Sequence, residues 1–528
     1  MTFFRFSHLS FCTLMFFLLT LTTSQAASPV AQWGQYPSRN MVSDAKGLPA
    51  QVDPATGQNI LWTAALGTDT YSSPVVAGSR VLIGTNNNRP RDPKHKGDRG
   101  VLMCLDTATG QLTWQLVVPK MIQDIFLDWS NVGMTSPATV EGDRVYMFTN
   151  RSEVVCLDLN GMANGNDGPY RDEAKHLVLP GKPALEPGPL DADILWVFDM
   201  MAGAGTHTHD SPCASILIDG PILYLNTANG VDKTHFGINQ PDAPALVALD
   251  KQTGRLVARD AEGIGHRTIH NNWSAPVLGT VAGRPLLVFG GGDGICYAFE
   301  PLKALPPEGP VQTLQNVWRF DCDPSGPKED IYKWQDNRKE GPSTIIGTAV
   351  FDAGRVYVAA GGDFWHGKPK TWLKCIDASK TGDVTKSAEV WSYEIPDYCM
   401  STPSVWNGLV FLAAADKKVH CLDAKSGQPL WTHDAEGEIW GSTLVADGKV
   451  YVGTQKGDLW TLSAAREPKV LGKAHLDAPI NTTPTASDGV VYVATMRTLY
   501  ALKEGAALKK VEMETEKRDG VDGGKSAQ

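Results

Sequence analysis

Residues 104–114 read CLDTATGQLTW, and residues 421–431 read CLDAKSGQPLW. In both stretches an Asp ends a short apolar run, and a Gly follows the Asp after three intervening residues. The Asp carboxylate accepts hydrogen bonds from the turn backbone, and Gly takes the left-handed conformation that closes the turn. The Trp that follows the Gly lies on the next strand, where its flat ring can wedge against a neighbouring sheet. Each stretch therefore predicts a strand, a tight turn and a second strand.

A second phrase recurs ahead of these stretches: a Pro or Thr, a few apolar residues, a Gly turn and a β-branched run. It is found around Pro74, Pro137, Pro212, Pro276, Ala349, Pro403, Thr443 and Pro484. The shortest spacings are about 40 residues, the length of one four-stranded propeller blade. The longer spacings add loop insertions to that unit. The repeats therefore predict an all-β chain, an eight-bladed β-propeller of four-stranded blades.

The two ends of the repeat region predict how the ring closes. The last unit stops at its third strand, around residues 499–502, while an unassigned strand stands at residues 59–63. Pairing the N-terminal strand with the last blade completes that blade and removes a sheet edge. We therefore expect a propeller over residues 59–505, an N-terminal extension over 27–58 and a charged, disordered tail over 506–528.

The Trp-containing turn resembles the tryptophan docking motif of the quinoprotein-type, pyrroloquinoline-quinone-like (PQQ-like) β-propeller repeat family. The match spans roughly residues 30–505. The resemblance implies an eight-bladed propeller and leaves function open, because the family includes quinone-dependent dehydrogenases and quinone-free binding or assembly scaffolds. Its alcohol dehydrogenases typically place a vicinal disulfide over the quinone, whereas no two Cys are adjacent in this chain. A haem attachment sequence, Cys-x-x-Cys-His, is also absent from the sequence.

The cysteines favour thiols rather than a disulfide framework. Cys104, Cys156, Cys375 and Cys421 occupy one equivalent position in four blades, where other blades have Ala or Thr. Equivalent positions on neighbouring blades lie farther apart than the roughly 7 Å between Cα atoms that a disulfide spans. We therefore expect these four to be reduced and buried. The repeats make no prediction for Cys213, Cys296, Cys322 and Cys399.

The N-terminus predicts export. An apolar run over residues 9–21 precedes the small-x-small pattern of Ser24 and Ala26, so cleavage after Ala26 would leave a signal peptide of residues 1–26. No Cys follows the cleavage point, which argues against a lipid anchor, and no other stretch could span a membrane. The net charge of −10 argues against nucleic acid as a partner. We expect a periplasmic or extracellular protein with other envelope proteins as partners.

We label the four strands of each blade A to D from the central channel outward. Loops before strand A and between strands B and C share one face of a propeller and surround its central funnel. In this chain they are rich in imidazole and indole, which suits a polar binding funnel. The alternative is an ordinary set of polar, water-filled loops. The predicted ligand-binding residues are Trp129, His207, His209, Asp210, His270, Asn271, Trp273, Trp365, His366 and Trp440.

Two segments are candidate metal sites. His207 and His209 could chelate a metal in an irregular turn, with His270 or His235 completing the set. In regular strand geometry, however, alternate residues point to opposite faces. The second segment, residues 158–168, is dense in the Asp and Asn oxygens that suit Ca²⁺. Its spacing does not match a twelve-residue calcium loop, so a turn stabilised by Gly and Asn is the favoured interpretation there.

Two functions follow from these observations. The favoured one is a non-catalytic binding or assembly scaffold that takes its ligand or partner at the funnel. The alternative is an alcohol or sugar dehydrogenase that uses pyrroloquinoline quinone with calcium. That chemistry needs a carboxylate base, a cation near the quinone carbonyls and oxygen ligands for calcium. Asp210, Asp293, Asp363 and Arg267 are the available groups, but no spacing singles them out.

Overall fold

The computed structural model describes residues 1–2, 30–121 and 126–508. Nearly all of the predicted signal peptide and the tail beyond residue 508 lie outside the described residues. Eight small sheets form the eight blades of an all-β propeller, which confirms the predicted fold. In each blade, strands A to D are paired antiparallel from the channel outward. None of the helices in the described part of the chain is long and apolar enough to cross a membrane.

The strands of the first four blades, in the order A to D, have the following bounds. Blade 1 contains Val75–Ala77, Arg80–Asn86, Arg99–Asp106 and Leu112–Pro119. Blade 2 contains Thr139–Glu141, Arg144–Phe148, Glu153–Asp158 and Ile194–Asp199. Blade 3 contains Leu217–Asp219, Ile222–Asn226, Leu246–Asp250 and Leu256–Arg259. Blade 4 contains Val277–Val281, Arg284–Gly290, Ile295–Phe299 and Asn316–Asp321.

The remaining blades follow the same order. Blade 5 contains Val350–Asp352, Arg355–Gly361, Thr371–Asp377 and Glu389–Ile395. Blade 6 contains Ser404–Trp406, Leu409–Ala413, Lys418–Asp423 and Pro429–Asp434. Blade 7 contains Leu444–Ala446, Lys449–Gly453, Asp458–Ser463 and Val470–His475. Blade 8 contains Thr485–Ser487, Val490–Ala494, Thr498–Ala507 and Gln58–Ala65.

Short elements complete the described chain. Extra two-residue strands extend blades 2, 3, 4 and 7, and these are Val30–Ala31, Gln312–Thr313, Gly382–Asp383 and Val42–Ser43. The helices, each of a single turn or little more, are Gly161–Asn164, Glu173–His176, Met200–Ala204, Ile264–Arg267 and Ile331–Trp334.

The ring closes as predicted from the sequence. Gln58–Ala65 pairs antiparallel with Thr498–Ala507 and supplies strand D of blade 8, with Trp62 opposite Ala501. The strand pair includes residues 506 and 507, which the prediction had assigned to the tail. Because the two ends of the chain share one sheet, blade 8 has no free edge on this side.

The docking tryptophans lie between blades. The indole Nε1 of Trp62, on strand D of blade 8, donates to the carbonyl oxygen of Thr107 in the turn of blade 1 at 2.8 Å. A Cβ added to Gly110 in the same turn would lie 2.6 Å from the Trp62 ring, so only Gly fits beneath the indole. Further indoles donate to the turn of the next blade in the same way, namely Trp114, Trp196, Trp391 and Trp431.

The cysteines of the described residues are all free. Cys104, Cys156, Cys375 and Cys421 are buried, as the repeat register predicted. Burial raises the pKa of each of these thiols to between about 11 and about 12. They therefore pack as small apolar side chains.

The N-terminal extension covers the end of the channel opposite the funnel. Its residues 30–43 bond to the innermost strands of blades 2 to 8, or to the residues that lead into them. At its centre the fully buried guanidinium of Arg39 donates to Trp33 O, Ile216 O and Pro276 O, at 2.8, 3.0 and 3.2 Å. The extension is thus built into the propeller rather than appended to it.

Candidate functional site

The funnel is a cavity of about 700 Å³. It lies between the loops that precede strand A and the loops that join strands B and C in several blades. Its walls combine imidazole, indole and a few polar groups. Among the residues that line it are the predicted Trp129, His209, Asp210, His270, Trp273, Trp365, His366 and Trp440, together with Phe126 and His235. The loops thus bring most of the predicted binding residues to one surface.

Four imidazoles cluster on the funnel wall. The ring centroid of His209 lies 4.7 Å from that of His235 and 4.9 Å from that of His270. The ring of His366 lies 4.8 Å from His270 and 5.0 Å from His235. We call these four residues the histidine cluster. His209 and His270 precede strand A of blades 3 and 4, and His235 and His366 lie in the B–C loops of blades 3 and 5. Only the ring arrangement of the propeller brings them together.

The Nδ1 atoms of three cluster members are held by oxygen partners. His209 Nδ1 lies 2.9 Å from the carbonyl oxygen of Val231, and His366 Nδ1 lies 2.9 Å from Asp336 Oδ1. His270 Nδ1 lies 3.1 Å from Asp363 Oδ2. An imidazole that donates from Nδ1 keeps its lone pair at Nε2. Metal-binding histidines are commonly oriented by such oxygen partners.

The donor atoms are close enough to share a cation. One set comprises His209, His235 and His270, and a second comprises His270, Asp363 and His366. Within each set the potential ligand atoms all lie within 4.8 Å of one another. Two imidazole nitrogens that bind one metal at about 2.0–2.1 Å lie roughly 3.4 Å apart in tetrahedral geometry. A small inward movement of the rings would therefore close either set around an ion.

In the first set, the surroundings of His209 and His235 keep both imidazoles neutral, so that their nitrogen lone pairs can bind a metal ion. Burial and the neighbouring imidazoles of His270 and His235 lower the pKa of His209 to about 2. Burial and electrostatic repulsion by the neighbouring imidazoles of His270 and His366 lower the pKa of His235. Neutral imidazole is the form that binds a metal ion. These two rings are therefore in the binding form across the physiological pH range.

His270 differs because a carboxylate accompanies it. Asp363 is fully buried, and its Oδ1 accepts hydrogen bonds from the backbone N–H groups of Trp365 and His366 at 3.0 and 2.8 Å. Burial opposes charge on both groups, but their mutual attraction outweighs it, so the pKa of His270 is raised and that of Asp363 is lowered. Asp363 thus supplies negative charge directly behind the cluster.

Aromatic rings surround the cluster at the mouth of the funnel. The rings of Trp273 and Trp365 lie 5.5 Å apart, and both contact His270 edge-on. Trp129 and Trp365 each expose more than a third of their surface. The Trp129 indole donates to Asp210, whose pKa is raised by burial. Exposed indoles beside polar groups can stack on a planar ligand or on a side chain of a partner.

Two predicted residues lie outside the cavity lining. Asn271 is fully buried, and its amide donates to the carbonyl oxygen of His209, so it positions a cluster histidine. His207 belongs to neither donor set of the described residues, and its backbone N–H donates to Asn229 Oδ1 at 2.9 Å. His207 and His209 thus do not share a donor set, although they are only two residues apart. The other imidazoles in the set of His209 come from other loops.

The sequence analysis named His235 or His270 as the residue that could complete a metal set with His207 and His209, and it named Asp363 only as a group available for quinone chemistry. Asp336 and Phe126 were missed altogether. Phe126 stacks on the His209 ring with centroids 5.9 Å apart, and Asp336 orients His366. Both lie in long loops without a repeat pattern, so no signal in the sequence pointed to them.

Comparison with known proteins places the chain in a family. The sequence profile of the family described as outer membrane protein assembly factor BamB matches residues 38–167, 312–466 and 419–511. These ranges cover more than half of the chain. The chain belongs to this family of PQQ-like β-propellers. The matched ranges include the Trp-containing turns of blades 1 and 6, in agreement with the docking motif.

One curated relative is an enzyme that matches a short part of the chain. A segment of 149 residues is 28% identical to the 1-butanol dehydrogenase (cytochrome c) of Thauera butanivorans, and it covers 25% of this chain and 22% of that enzyme. The chain thus spans about a fifth of the length of this curated relative.

Two solved structures share the propeller fold at low sequence identity. BamB from Moraxella catarrhalis superposes with a TM-score of 0.50 and 13% identity, covering 84% of this chain and 99% of BamB. The quinohemoprotein alcohol dehydrogenase from Comamonas testosteroni gives a TM-score of 0.58 and 13% identity, covering 90% of this chain and 81% of the enzyme. At these identities the likeness concerns the fold alone.

The donor chemistry of the funnel does not fit a quinone–calcium centre. Calcium takes oxygen ligands, whereas imidazole suits zinc, copper and nickel. Of the groups suggested for quinone chemistry, Arg267 and Asp293 pair with each other at 2.9 Å and are not among the residues that line the cavity. Asp210 lines the cavity, and Asp363 pairs with His270. Four imidazoles line the cavity, against the single carboxylate of Asp210.

Proposed function

We propose that this chain is an exported, quinone-free PQQ-like propeller that binds a divalent transition-metal ion in its funnel. His209, His235 and His270 are the ligands, and His366 or a group of an incoming molecule completes the coordination. The observation that carries the proposal is the set of three imidazoles whose donor atoms lie within 4.8 Å of one another. Three protein ligands with an open fourth position are typical of metal sites that bind a further molecule.

The surroundings support this assignment. Asp363 balances part of the charge of a bound cation, and the carbonyl oxygen of Val231 engages Nδ1 of His209, which leaves the lone pair of that ring at Nε2. The exposed indoles at the rim offer stacking surfaces for whatever occupies the open position. In this proposal the metal and the aromatic rim together form the surface that takes a ligand, or a side chain of an envelope protein partner, in keeping with a binding or assembly scaffold.

The test is metal binding by purified protein stripped of metals with a chelator. Zn²⁺, Cu²⁺, Ni²⁺ and Ca²⁺ are titrated separately by calorimetry, and bound metal is measured after gel filtration. We expect one transition-metal ion per chain and no Ca²⁺ at the funnel. His235→Ala should weaken binding by at least about tenfold, the effect expected when a ligand is lost.

His266→Ala is the matched control, because His266 lies on the same face and is exposed, and pairs with Asp242 at 2.7 Å. This variant should bind metal like the unaltered protein. Equal binding by the His235 and His266 variants, or no transition-metal binding at micromolar concentration, would overturn the proposal.

The dehydrogenase remains the second candidate because of the segment shared with a 1-butanol dehydrogenase. It is tested by adding pyrroloquinoline quinone and Ca²⁺ to the purified protein and recording the absorbance spectrum and dye-linked oxidation of butanol. The poor fit of the funnel donors predicts no shift of the spectrum and no oxidation. A saturable spectral shift together with turnover would favour the dehydrogenase over the scaffold.

A further inference from the structure

A second group of potential ligands lies far from the funnel, in the insertion between strands C and D of blade 2. It comprises Asp158, Asp167 and Asp193, and one carboxylate oxygen of each lies within 4.8 Å of the others. Calcium binds oxygen at 2.3–2.6 Å, so two oxygens on one ion can be up to roughly 5 Å apart. The three oxygens therefore already stand within the span of one Ca²⁺.

An independent observation concerns buried oxygens without partners. Asp193 is fully buried, and its Oδ2 accepts a hydrogen bond from the backbone N–H of Asp167 at 2.9 Å. Its Oδ1 has no hydrogen-bond partner among the described residues. Glu173 is only 3% exposed, and its Oε1 likewise lacks a partner in the described part of the chain. A buried carboxylate oxygen left unpaired is costly, and a cation would satisfy it.

The charge balance points the same way. Arg144 is the one cation that pairs with these four carboxylates in the described residues, through Asp158 Oδ2 at 3.1 Å. Four carboxylates against a single guanidinium leave an excess of negative charge around a buried group, which a divalent cation would offset.

We propose that this insertion holds a Ca²⁺ ion bound by Asp158, Asp167 and Asp193, with Glu173 as a further carboxylate beside it. The donors are all carboxylate oxygens from separate places in the insertion, which suits the flexible coordination of calcium better than the softer transition metals or the rigid octahedron of Mg²⁺. The linear pattern of residues 158–168 could not show this site, because Asp193 and Glu173 come from later in the insertion. The site goes beyond the proposed funnel function and does not depend on it.

The place of the site suggests what the ion does. Asp158 ends strand C, and Asp193 directly precedes strand D, so one ion would join both ends of the insertion. The insertion also contacts blade 1, since Trp114 Nε1 donates to Leu159 O at 2.7 Å and Gln115 N donates to Leu190 O at 2.7 Å. Calcium at this position would therefore stabilise the junction of blades 1 and 2.

The experiment uses the full chain, freed of metals and titrated with Ca²⁺ and, in parallel, with Tb³⁺, whose luminescence is sensitised by nearby aromatic rings. We expect one Ca²⁺ per chain with a dissociation constant below about 1 mM, the range of extracellular calcium modules. We also expect the thermal midpoint to rise with Ca²⁺, because the ion binds only the folded insertion. A test with Mg²⁺ at the same concentration should give a smaller shift.

Asp193→Asn and Glu173→Gln are the diagnostic variants. Both remove negative charge at nearly constant shape, so the metal-free variants should be as stable as the original protein or more stable. Asp193→Asn should weaken Ca²⁺ binding at least about tenfold and remove the calcium-dependent rise of the midpoint. Asp172→Asn is the control, since Asp172 is an exposed acid of the same insertion, paired with Lys175.

The outcomes separate the two metal sites. The funnel variant His235→Ala should keep its full response to Ca²⁺, so a failure of the funnel proposal leaves this one intact. No Ca²⁺ binding by the metal-free protein, or an unchanged response of Asp193→Asn, would overturn the proposal. An equal effect of Mg²⁺ would overturn the assignment to calcium.

Discussion

The group that accepts a hydrogen bond from Nδ1 of a histidine affects how strongly Nε2 of the same ring binds a metal ion. His209 is held by a backbone carbonyl and His270 by a buried carboxylate, so the rings present Nε2 with different basicity. A carboxylate behind an imidazole both orients the ring and makes it a stronger donor. The funnel thus combines neutral ligands with one ligand that is electrostatically supported.

The role of Asp363 can be tested by Asp363→Asn. The amide keeps the size of the side chain and loses the charge that supports His270. We expect transition-metal affinity to fall by about 10-fold to 100-fold, the usual effect of removing such a partner. The thermal midpoint of the metal-free protein should change little by comparison. Asp336→Asn, which alters the exposed partner of His366, should have the smaller effect on affinity.

The hydrogen bonds of the Asp323 carboxylate predict that the free energy of unfolding depends on pH. Its carboxylate accepts hydrogen bonds from Lys368 at 2.7 Å and from the Ser343 and Ser325 hydroxyls at 2.8 and 2.7 Å. Burial raises its pKa, but these partners outweigh burial and lower the pKa to about 2. The stabilisation is therefore complete above about pH 4, the pKa in the unfolded chain, and is lost as the pH falls towards 2.

The variant Asp323→Asn should lose about 2 kcal/mol of unfolding free energy at neutral pH, which corresponds to the lowered pKa. Its stability should then fall less steeply than that of the original protein between pH 4 and pH 2. Chemical denaturation at a series of pH values measures both effects. Parallel curves for the two proteins would contradict the assignment.

At the scale of elements, the contact between a strand D indole and the turn of the next blade repeats around the ring. It combines a hydrogen bond to a turn carbonyl with a Gly that leaves room for the ring. Blade 5 departs from this pattern, because the connection between its strands C and D, residues 378–388, is six residues longer than that of blade 1, residues 107–111. Trp318, on strand D of the preceding blade 4, is fully buried, and its Nε1 has no hydrogen-bond partner among the described residues.

Gly110→Ala tests the contact, with Gly382→Ala as the matched control. Gly110 has φ +70°, and an added Cβ would lie 2.6 Å from the Trp62 ring. Gly382 has φ +81° in the connection between strands C and D of blade 5, with open space at the Cβ position. Both substitutions carry backbone strain of about 1 kcal/mol. We expect Gly110→Ala to lower the unfolding free energy by about 1–3 kcal/mol more than the control, because overpacking is added. Equal losses would show that the indole contact contributes little.

At the scale of the whole molecule, the N-terminal part of the chain has two separate roles. Residues 30–43 cover one end of the channel, whereas Gln58–Ala65 completes blade 8. The first role adds contacts to a ring that is already closed. The second role closes the ring.

Two deletions distinguish these roles. A protein without residues 28–52 keeps the closing strand, so we expect a folded monomer whose thermal midpoint falls by several degrees, as the loss of a few kcal/mol produces in a large domain. A protein without residues 28–66 exposes an edge of blade 8 and should aggregate or fail to unfold cooperatively. Thermal melting and gel filtration measure both. A cooperative transition at the original temperature in the longer deletion would contradict ring closure by this strand.

Much of the fold was predictable because it is encoded locally. The Asp, Gly and Trp of each turn, such as Asp106, Gly110 and Trp114, lie within one short segment and determine the turn by hydrogen bonding and backbone conformation. The phrase of a Pro or Thr, apolar residues and a Gly turn, which occurs eight times, then predicts the number of blades, and the unassigned strand at residues 59–63 predicts closure. The cover formed by residues 30–43 was not predictable, since its backbone groups and the side chains of Gln35, Arg39 and Asn40 bond to blade residues far away in the sequence and follow no repeat pattern.

The sites divide along the same line. The sequence by itself determined that imidazoles and indoles collect at the funnel face, because the position of a loop within a blade decides the face on which it lies. Only the tertiary structure decided that His209 meets His235 and His270 rather than His207, and that Asp193 joins Asp158 and Asp167. The physical reason is that metal ligands need to converge within a few ångströms. That convergence depends on how separate loops are packed around the ring and across the insertion, which the order of residues along the chain does not record.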